Sequence, residues 1–340
     1  MECKTRVSLP IPEMFTVHLG TVEAITIGST AMNILSTGEV IGKVFGVFDR
    51  TLNVLTADKE LLTLARKDVE NSPITILLDL PHSICMSAFG IRTGASVIKS
   101  GQFIHISGSK LLVSLDKATL WKARRQVATN LTIKDVTRNC ETANDVGRKY
   151  GKRGGLSALL EHLNALIKGE TIDAQEFNIY SRKAFPHITT LIEAVLSRNI
   201  GDVRPPVKRL IGLGPGLTPS CDDMLMGFMS SLLLATEASG GDVYYAREAN
   251  RVIASSANGQ TTLLSQKLLE HAAQGEVSEL THNVIGAIVG GTEEKVRKAT
   301  SKLLAVGHSS GTDTLLGILL GFHVAVNTAY TLTNPTKVEK

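Results

Sequence analysis

The sequence predicts an α+β protein: a β-rich barrel- or sandwich-like domain over residues 1–117, followed by a mainly helical domain over residues 118–340. Three observations carry this. Short β-branched runs dominate up to about residue 115, and helical periodicity follows. The two kinds of element are segregated rather than alternating, which excludes a doubly wound βαβ sheet. With 43% of its 340 residues hydrophobic and only 4% aromatic, the chain has enough Leu, Ile, Val and Ala to fill two cores.

The strand runs, in order, are Val22–Ile27, Val40–Phe48, Leu52–Thr56, Ile74–Leu80, Ala95–Ile98, Phe103–Ile106 and Leu111–Leu115, with Gly, Ser, Asn and Asp between them. One helical insert is expected at Lys59 to Lys67. From there the periodicity predicts helices over Thr119–Ala128, Ser157–Lys168, Ala174–Leu196, Asp222–Ala238 and Tyr244–Ser256. Further helices are predicted over Thr261–Ala273, Glu276–Gly286, Thr292–Ala305 and Asp313–Tyr330. Pro186 is expected to break or kink the helix it falls in. Gly151–Gly155 reads as an exposed loop, and Ser239–Gly241 and Gly290–Gly291 as stops between helices.

One segment speaks to function. Gly212-Leu-Gly-Pro-Gly-Leu-Thr-Pro-Ser-Cys-Asp-Asp223 runs into an apolar helix. Thr218 suits the N-cap and Pro219 the first helical position. A glycine-rich loop lets a ligand approach the backbone, and the helix start behind it attracts an anion. Asp222 and Asp223, on the first turn, call for a metal, a basic partner or a proton transfer. The spacing of a P-loop is absent.

The segment has an echo. Ser310-Gly-Thr-Asp-Thr-Leu-Leu-Gly317 aligns with Ser220-Cys-Asp-Asp-Met-Leu-Met-Gly227, pairing Asp313 with Asp223 and Gly317 with Gly227. On one reading the Ser and Asp residues are ordinary caps and the glycines are helix-packing contacts. On the other, two helix starts converge on one site.

Composition narrows the classes. A net charge of +4 is weak for this length, and the basic clusters Lys122–Arg125 and Arg148–Arg153 lack interleaved aromatics, so nucleic-acid binding is not expected. Cys3, Cys85, Cys140 and Cys221 are scattered without metal-type spacing, which points to a reducing compartment. The N-terminus has no signal-peptide pattern, and the uncharged run Thr314–Thr333 reads as a buried helix rather than a membrane span, so a cytoplasmic location is expected.

The loop Gly212–Asp223, Gly307-His-Ser-Ser-Gly-Thr-Asp313 and the segment Thr261–Gly275 together resemble the AllH family. Val47-Phe-Asp-Arg-Thr-Leu-Asn and Asp68-Val-Glu-Asn-Ser-Pro73 are similar to that family's strand region, so the likeness spans roughly residues 40 to 325. The resemblance implies a subunit of oxamate carbamoyltransferase, which exchanges oxalurate and phosphate with oxamate and carbamoyl phosphate in allantoin breakdown, alongside other subunits. An accessory subunit, or a stand-alone enzyme on another small carboxylate or phosphorylated substrate, are the alternatives. The chain departs from the family pattern at Cys221, where glycine is usual.

The expected site is one small-anion pocket at the paired helix starts. Gly214, Gly216, Leu217 and Gly311 offer backbone N–H groups, and Thr218, Ser220, Ser309 and Ser310 offer hydroxyls, beside Asp222. Asp223, Asp313 and His308 are the candidates for acid–base work, and Asp223 and Asp313 for holding Mg2+ if a metal is used. Lys208 and Arg209 are candidate countercharges, or part of a solvated linker. No cofactor is firmly indicated.

Overall fold

The computed structural model describes residues 21–123, 132–173, 175 and 177–333. It divides into two compact units, Met1–Trp121 and Lys122–Lys340, each with its own hydrophobic core.

The first unit holds β1 (Thr21–Gly28), α1 (Ser29–Ser36), β2 (Val40–Val47), β3 (Thr51–Leu55), β4 (Leu61–Arg66) and β5 (Thr75–Leu78), then β6 (Ser96–Ser100), β7 (Phe103–Ile106), β8 (Leu112–Ser114) and β9 (Thr119–Trp121). The strands lie in the order β5-β4-β3-β2-β6-β7-β8-β1, and β1 pairs back onto β5. That closure makes an eight-stranded barrel rather than a sandwich, and it leaves no long free edge. One edge of β1 is shared: Thr21 to Glu23 pair in parallel with β8, and Thr26 to Gly28 with β9. Its other edge runs antiparallel to β5, with Ala24 opposite Leu78. Leu52, Val54, Leu64, Ile76 and Val97 fill the interior.

Two expectations fail in this region. Lys59–Lys67 is not helical: Leu61–Arg66 is strand β4, paired residue by residue with β3. Every residue of β4 is buried, so it lacks the alternation that marks a half-exposed strand. Thr119–Trp121 is a strand rather than a helix start, and the rest of that predicted helix, from Arg124, lies outside the described residues, as does most of the Lys122–Arg125 cluster. The Asp68–Pro73 motif has a structural role at its first residue. Buried Arg66 donates to Asp68 at 2.5 and 2.8 Å and holds that carboxyl down at about 2.

The second unit is helical: α2 (Ile133–Tyr150), α3 (Leu163–Lys168), α4 (Ile179–Leu196), α5 (Ile200–Leu210), α6 (Ser220–Ser239), α7 (Val243–Ser255), α8 (Leu263–Ala272), α9 (Glu279–Gly290), α10 (Glu293–Leu304) and α11 (Ser310–Thr333). Two of these have no counterpart in the predicted set. The core face of α2 carries Asn139 and Thr142 among Val136, Ala143 and Val146, which blurs its apolar stripe. Asn139 Nδ2 donates to the Ile288 and Gly291 carbonyls at 3.0 and 3.2 Å, so its polarity is used inside the core. In α5, Pro205 and Pro206 hide the helix, and Lys208 and Arg209 occupy its last turn instead of a linker. Pro186 does not break α4, which is continuous across it.

At the centre of the unit α6 and α11 run parallel and very close. A Cβ on Gly227 would collide with the Thr314 carbonyl, and one on Gly317 with the Met224 carbonyl. Interchanging the two helices interchanges these contacts, so the sequence echo is a local two-fold pseudo-symmetry. Among the described residues no helix is long and apolar enough to cross a membrane. The uncharged Thr314–Thr333 run belongs to α11, whose Leu315, Leu316, Leu319 and Leu320 are buried.

Candidate functional site

Because α6 and α11 are parallel, their N-termini open at the same end of the pair. Pro219, not Thr218, caps α6: its carbonyl accepts from the N–H groups of Asp222 and Asp223 at 2.8 and 3.0 Å. Ser309 does the same for α11, accepting from Thr312 and Asp313 at 2.9 Å each. Thr218, one residue earlier than a cap, turns its hydroxyl toward Asp223 Oδ2 at 3.3 Å.

Gly214 shapes the loop in front of α6. Its φ is 138°, and a Cβ there would collide with the Ser220 N–H, so only glycine folds the loop onto the helix end. Gly216 and Leu217 stand in the exposed part of that loop. The N–H groups of Gly214, Gly216, Leu217 and Thr218 have no hydrogen-bond acceptor among the described residues. The loop is tied from behind by Thr262, whose hydroxyl donates to the Leu217 carbonyl at 2.5 Å.

The carboxyls face different surroundings. Asp222 is fully bonded: it accepts from Gly212 N–H at 2.8 Å, from Ser265 Oγ at 2.7 Å and from Thr261 Oγ1. Burial still raises its pKa against those donors. Asp313, with no exposed surface, accepts from Leu156 N–H at 2.7 Å and Ser309 Oγ at 2.9 Å. Desolvation pushes it up to about 6 despite these bonds and the nearby Ser220 hydroxyl. Asp223 is the least satisfied. It is 3% exposed, and among the described residues its partners are two hydroxyls, Ser310 and, at 3.3 Å, Thr218. Burial raises its pKa well above the ordinary carboxylate value; the Ser310 hydroxyl opposes this, and the charge of Asp313 adds to it. The serines thus reach across the symmetry, Ser220 to Asp313 and Ser310 to Asp223.

A third loop closes the site. Gly151–Gly155 is not simply exposed: Gly155 is buried, and a Cβ there would crowd both Asp313 oxygens and Ser220 Oγ. Asn178 and Ser181 hold its carbonyl at 2.8 and 3.0 Å. Lys152 Nζ bonds the Ala305 and Gly307 carbonyls at 2.8 and 2.6 Å and so ties this loop to the one before α11. A Cβ on Gly154 would stand 3.9 Å from His308 Nε2. Arg153, between them, is exposed and makes no ion pair among the described residues.

Most of the residues expected from sequence therefore gather here: Thr218, Ser220, Asp223, Ser309, Ser310 and Asp313, with His308 exposed at the rim. Two are otherwise engaged. The Gly311 N–H donates to the Val306 carbonyl at 3.3 Å, and Asp222 turns away into its own donor set. Lys208 and Arg209 sit at the end of α5, with Arg209 acting electrostatically on His187. Sequence reasoning did not assign Gly155, Leu156 or Lys152 to the site; the doubled glycine at Gly154-Gly155 was the available signal.

The sequence comparisons follow the same division. Residues 23–120 match the AllH family N-terminal domain, and residues 210–322 match the model described as oxamate carbamoyltransferase subunit AllH. The chain belongs to the AllH family. The second match begins at the end of α5, takes in both helix starts and runs to Phe322 of α11, so the family's signature and the pseudo-symmetric pair coincide. No solved structure matches the chain. The departure from the AllH pattern at Cys221 also finds its reason. Cys221 has ordinary helical backbone and lies in the core, whereas a Cβ at Gly311 would collide with the Leu303 carbonyl. Glycine is required in the second copy and not in the first. Burial raises the Cys221 thiol well above its ordinary value, which leaves it unreactive.

Proposed function

We propose that this protein is a subunit of an oxamate carbamoyltransferase-like enzyme, and that it holds a small anion (phosphate, carbamoyl phosphate or an oxamate-like carboxylate) where the α6 and α11 N-termini meet. The observation that carries this is Asp223, a buried carboxyl met by the hydroxyls of Ser310 and, at 3.3 Å, Thr218, with a second buried carboxyl, Asp313, beside it. Such a group costs stability, and perturbed carboxyls of this kind cluster at functional sites. Its raised pKa favours the protonated form, which neither repels an anion nor lacks a proton to give.

In this reading Gly214, Gly216 and Leu217 supply N–H donors, Thr218, Ser220, Ser309 and Ser310 supply hydroxyls, and Arg153 supplies countercharge. Phosphate attacks the carbamoyl carbon of oxalurate, and the bond from that carbon to the oxamate nitrogen breaks. The departing nitrogen takes a proton from Asp223 or Asp313, which regains one from the phosphate hydroxyl, with His308 at the rim as relay. The tetrahedral oxyanion between these events is what the N–H donors stabilise, each by about 3–4 kcal/mol. Among the described residues no three His, Cys, Asp or Glu side chains are grouped to hold a metal. Mg2+ needs only one or two carboxylates beside a substrate phosphate, so Asp223 and Asp313 are the residues that would hold it if one is used. The proton transfers above do not call on one.

A non-catalytic accessory role is the second reading. It is favoured by the Cys221 and Gly311 N–H groups, both bonded to loop carbonyls and closed to a ligand. Thermal unfolding with phosphate, carbamoyl phosphate and oxamate separates the two. A site saturated at about 100 times its dissociation constant adds about 2.7 kcal/mol. The first reading expects a midpoint shift that Thr218→Val and Arg153→Ala reduce. No shift with any of the three anions favours the accessory reading, or a pocket that partner subunits complete.

A further inference from the structure

A cavity of about 510 Å3 opens among α2, α3 and the middle of α11. Phe322, on its floor, lies nine residues beyond Asp313, about 14 Å along the helix axis, so the cavity is separate from the site above. Pockets of roughly 300–1,000 Å3 are the size that holds small organic molecules. The floor is apolar and buried: Val136, Leu163, Leu319 and Phe322. The walls are polar but uncharged. Burial pushes the Cys140 thiol up to about 12 and holds His323 below its ordinary value. Asn144, also in the wall, has a buried Oδ1 with no hydrogen-bond partner among the described residues. Buried acceptors are rarely left without a donor.

Charge appears only at the mouth, and its sign is uneven. Glu141 and Asp145 lie one turn apart on the exposed edge of α2, on the same helix face as Asn144. The cation among the lining residues is Arg148, whose guanidinium is already bonded to Glu161 at 2.5 Å. An apolar floor below two carboxylates and an unmet acceptor is complementary to one kind of molecule. We infer that this cavity is a binding site for a small organic cation, with an ammonium or guanidinium head at Glu141 and Asp145 and an apolar body on Leu319 and Phe322. The inference is independent of the carbamoyl-transfer reading.

Three probes with one apolar body and different heads test it: phenylbutylammonium, phenylbutanol and phenylbutyrate. Saturation-transfer NMR and titration calorimetry on the full chain give the affinities. The cation is expected to bind at least about tenfold tighter than the alcohol, the difference one favourable charge contact of about 1.4 kcal/mol makes, and the carboxylate weakest of all. The double variant Glu141→Gln with Asp145→Asn changes only exposed side chains, and it is expected to remove the preference. Glu294→Gln, on α10, is expected to leave it intact, and melting curves of both variants confirm the fold. Equal binding of the three probes, binding of none, or a preference that survives the double variant each overturns the assignment.

Discussion

Asp222 and Asp223 are neighbours in sequence, but consecutive helical residues point about 100° apart, so they meet different surroundings. Asp222 turns to Gly212, Thr261 and Ser265 and ties two loops to α6. Removing donors while leaving that buried carboxyl in place costs its desolvation, so Ser265→Ala with Thr261→Val is expected to lower stability by about 2–4 kcal/mol in urea unfolding. Asp313 makes a pH-dependent contribution. Its pKa rises from 3.8 unfolded to about 6 folded. Below about pH 4 both states hold the proton and nothing is lost. As pH climbs through about 6 the folded state retains a proton the unfolded state has released, and stability falls by at most about 3 kcal/mol. Urea midpoints of the native chain are therefore expected to drop, relative to Asp313→Asn, between about pH 4 and about pH 6. Parallel profiles would show that the buried carboxyl is not the cause.

Between elements, the α6–α11 contact depends on having no side chain at three positions. Gly227, Gly317 and Gly321 each place backbone against the facing helix, where a Cβ would overlap main-chain atoms. Gly317→Ala is expected to destabilise by more than about 3 kcal/mol, since neither backbone yields without separating the helices. Gly290→Ala, at the end of α9, meets nothing within 4 Å and is expected to be neutral or stabilising by up to about 1 kcal/mol. Thermal midpoints of the two variants make the comparison. At this scale the sequence was legible where one face of an element meets water. Phe103–Ile106 was readable for that reason, whereas the buried starts of α6 and α11 were readable from their Ser, Asp and Gly spacing. The strand Leu61–Arg66 and the helix Ile133–Tyr150 were not: the first is buried throughout, and the second puts Asn139 and Thr142 where an apolar stripe was sought.

For the whole molecule, two cores with no shared members mean two folding units. Fragments spanning residues 21–121 and 132–333 are each expected to unfold cooperatively, the first with a strand-rich and the second with a helical circular-dichroism spectrum. A helical fragment that melts without a transition would place part of its stability in the rest of the chain. The sequence by itself determined the order of the two units, the AllH likeness, and the pair of Ser/Asp helix starts, because these rest on local spacing and on which residues suit a helix end. Only the tertiary structure decided that the two starts face the same way, that Ser220 serves Asp313 and Ser310 serves Asp223, and that Gly155 and Leu156 complete the site from a distant loop. Those facts follow from a parallel packing that glycines far apart in the chain permit, and no local pattern records which helix lies against which.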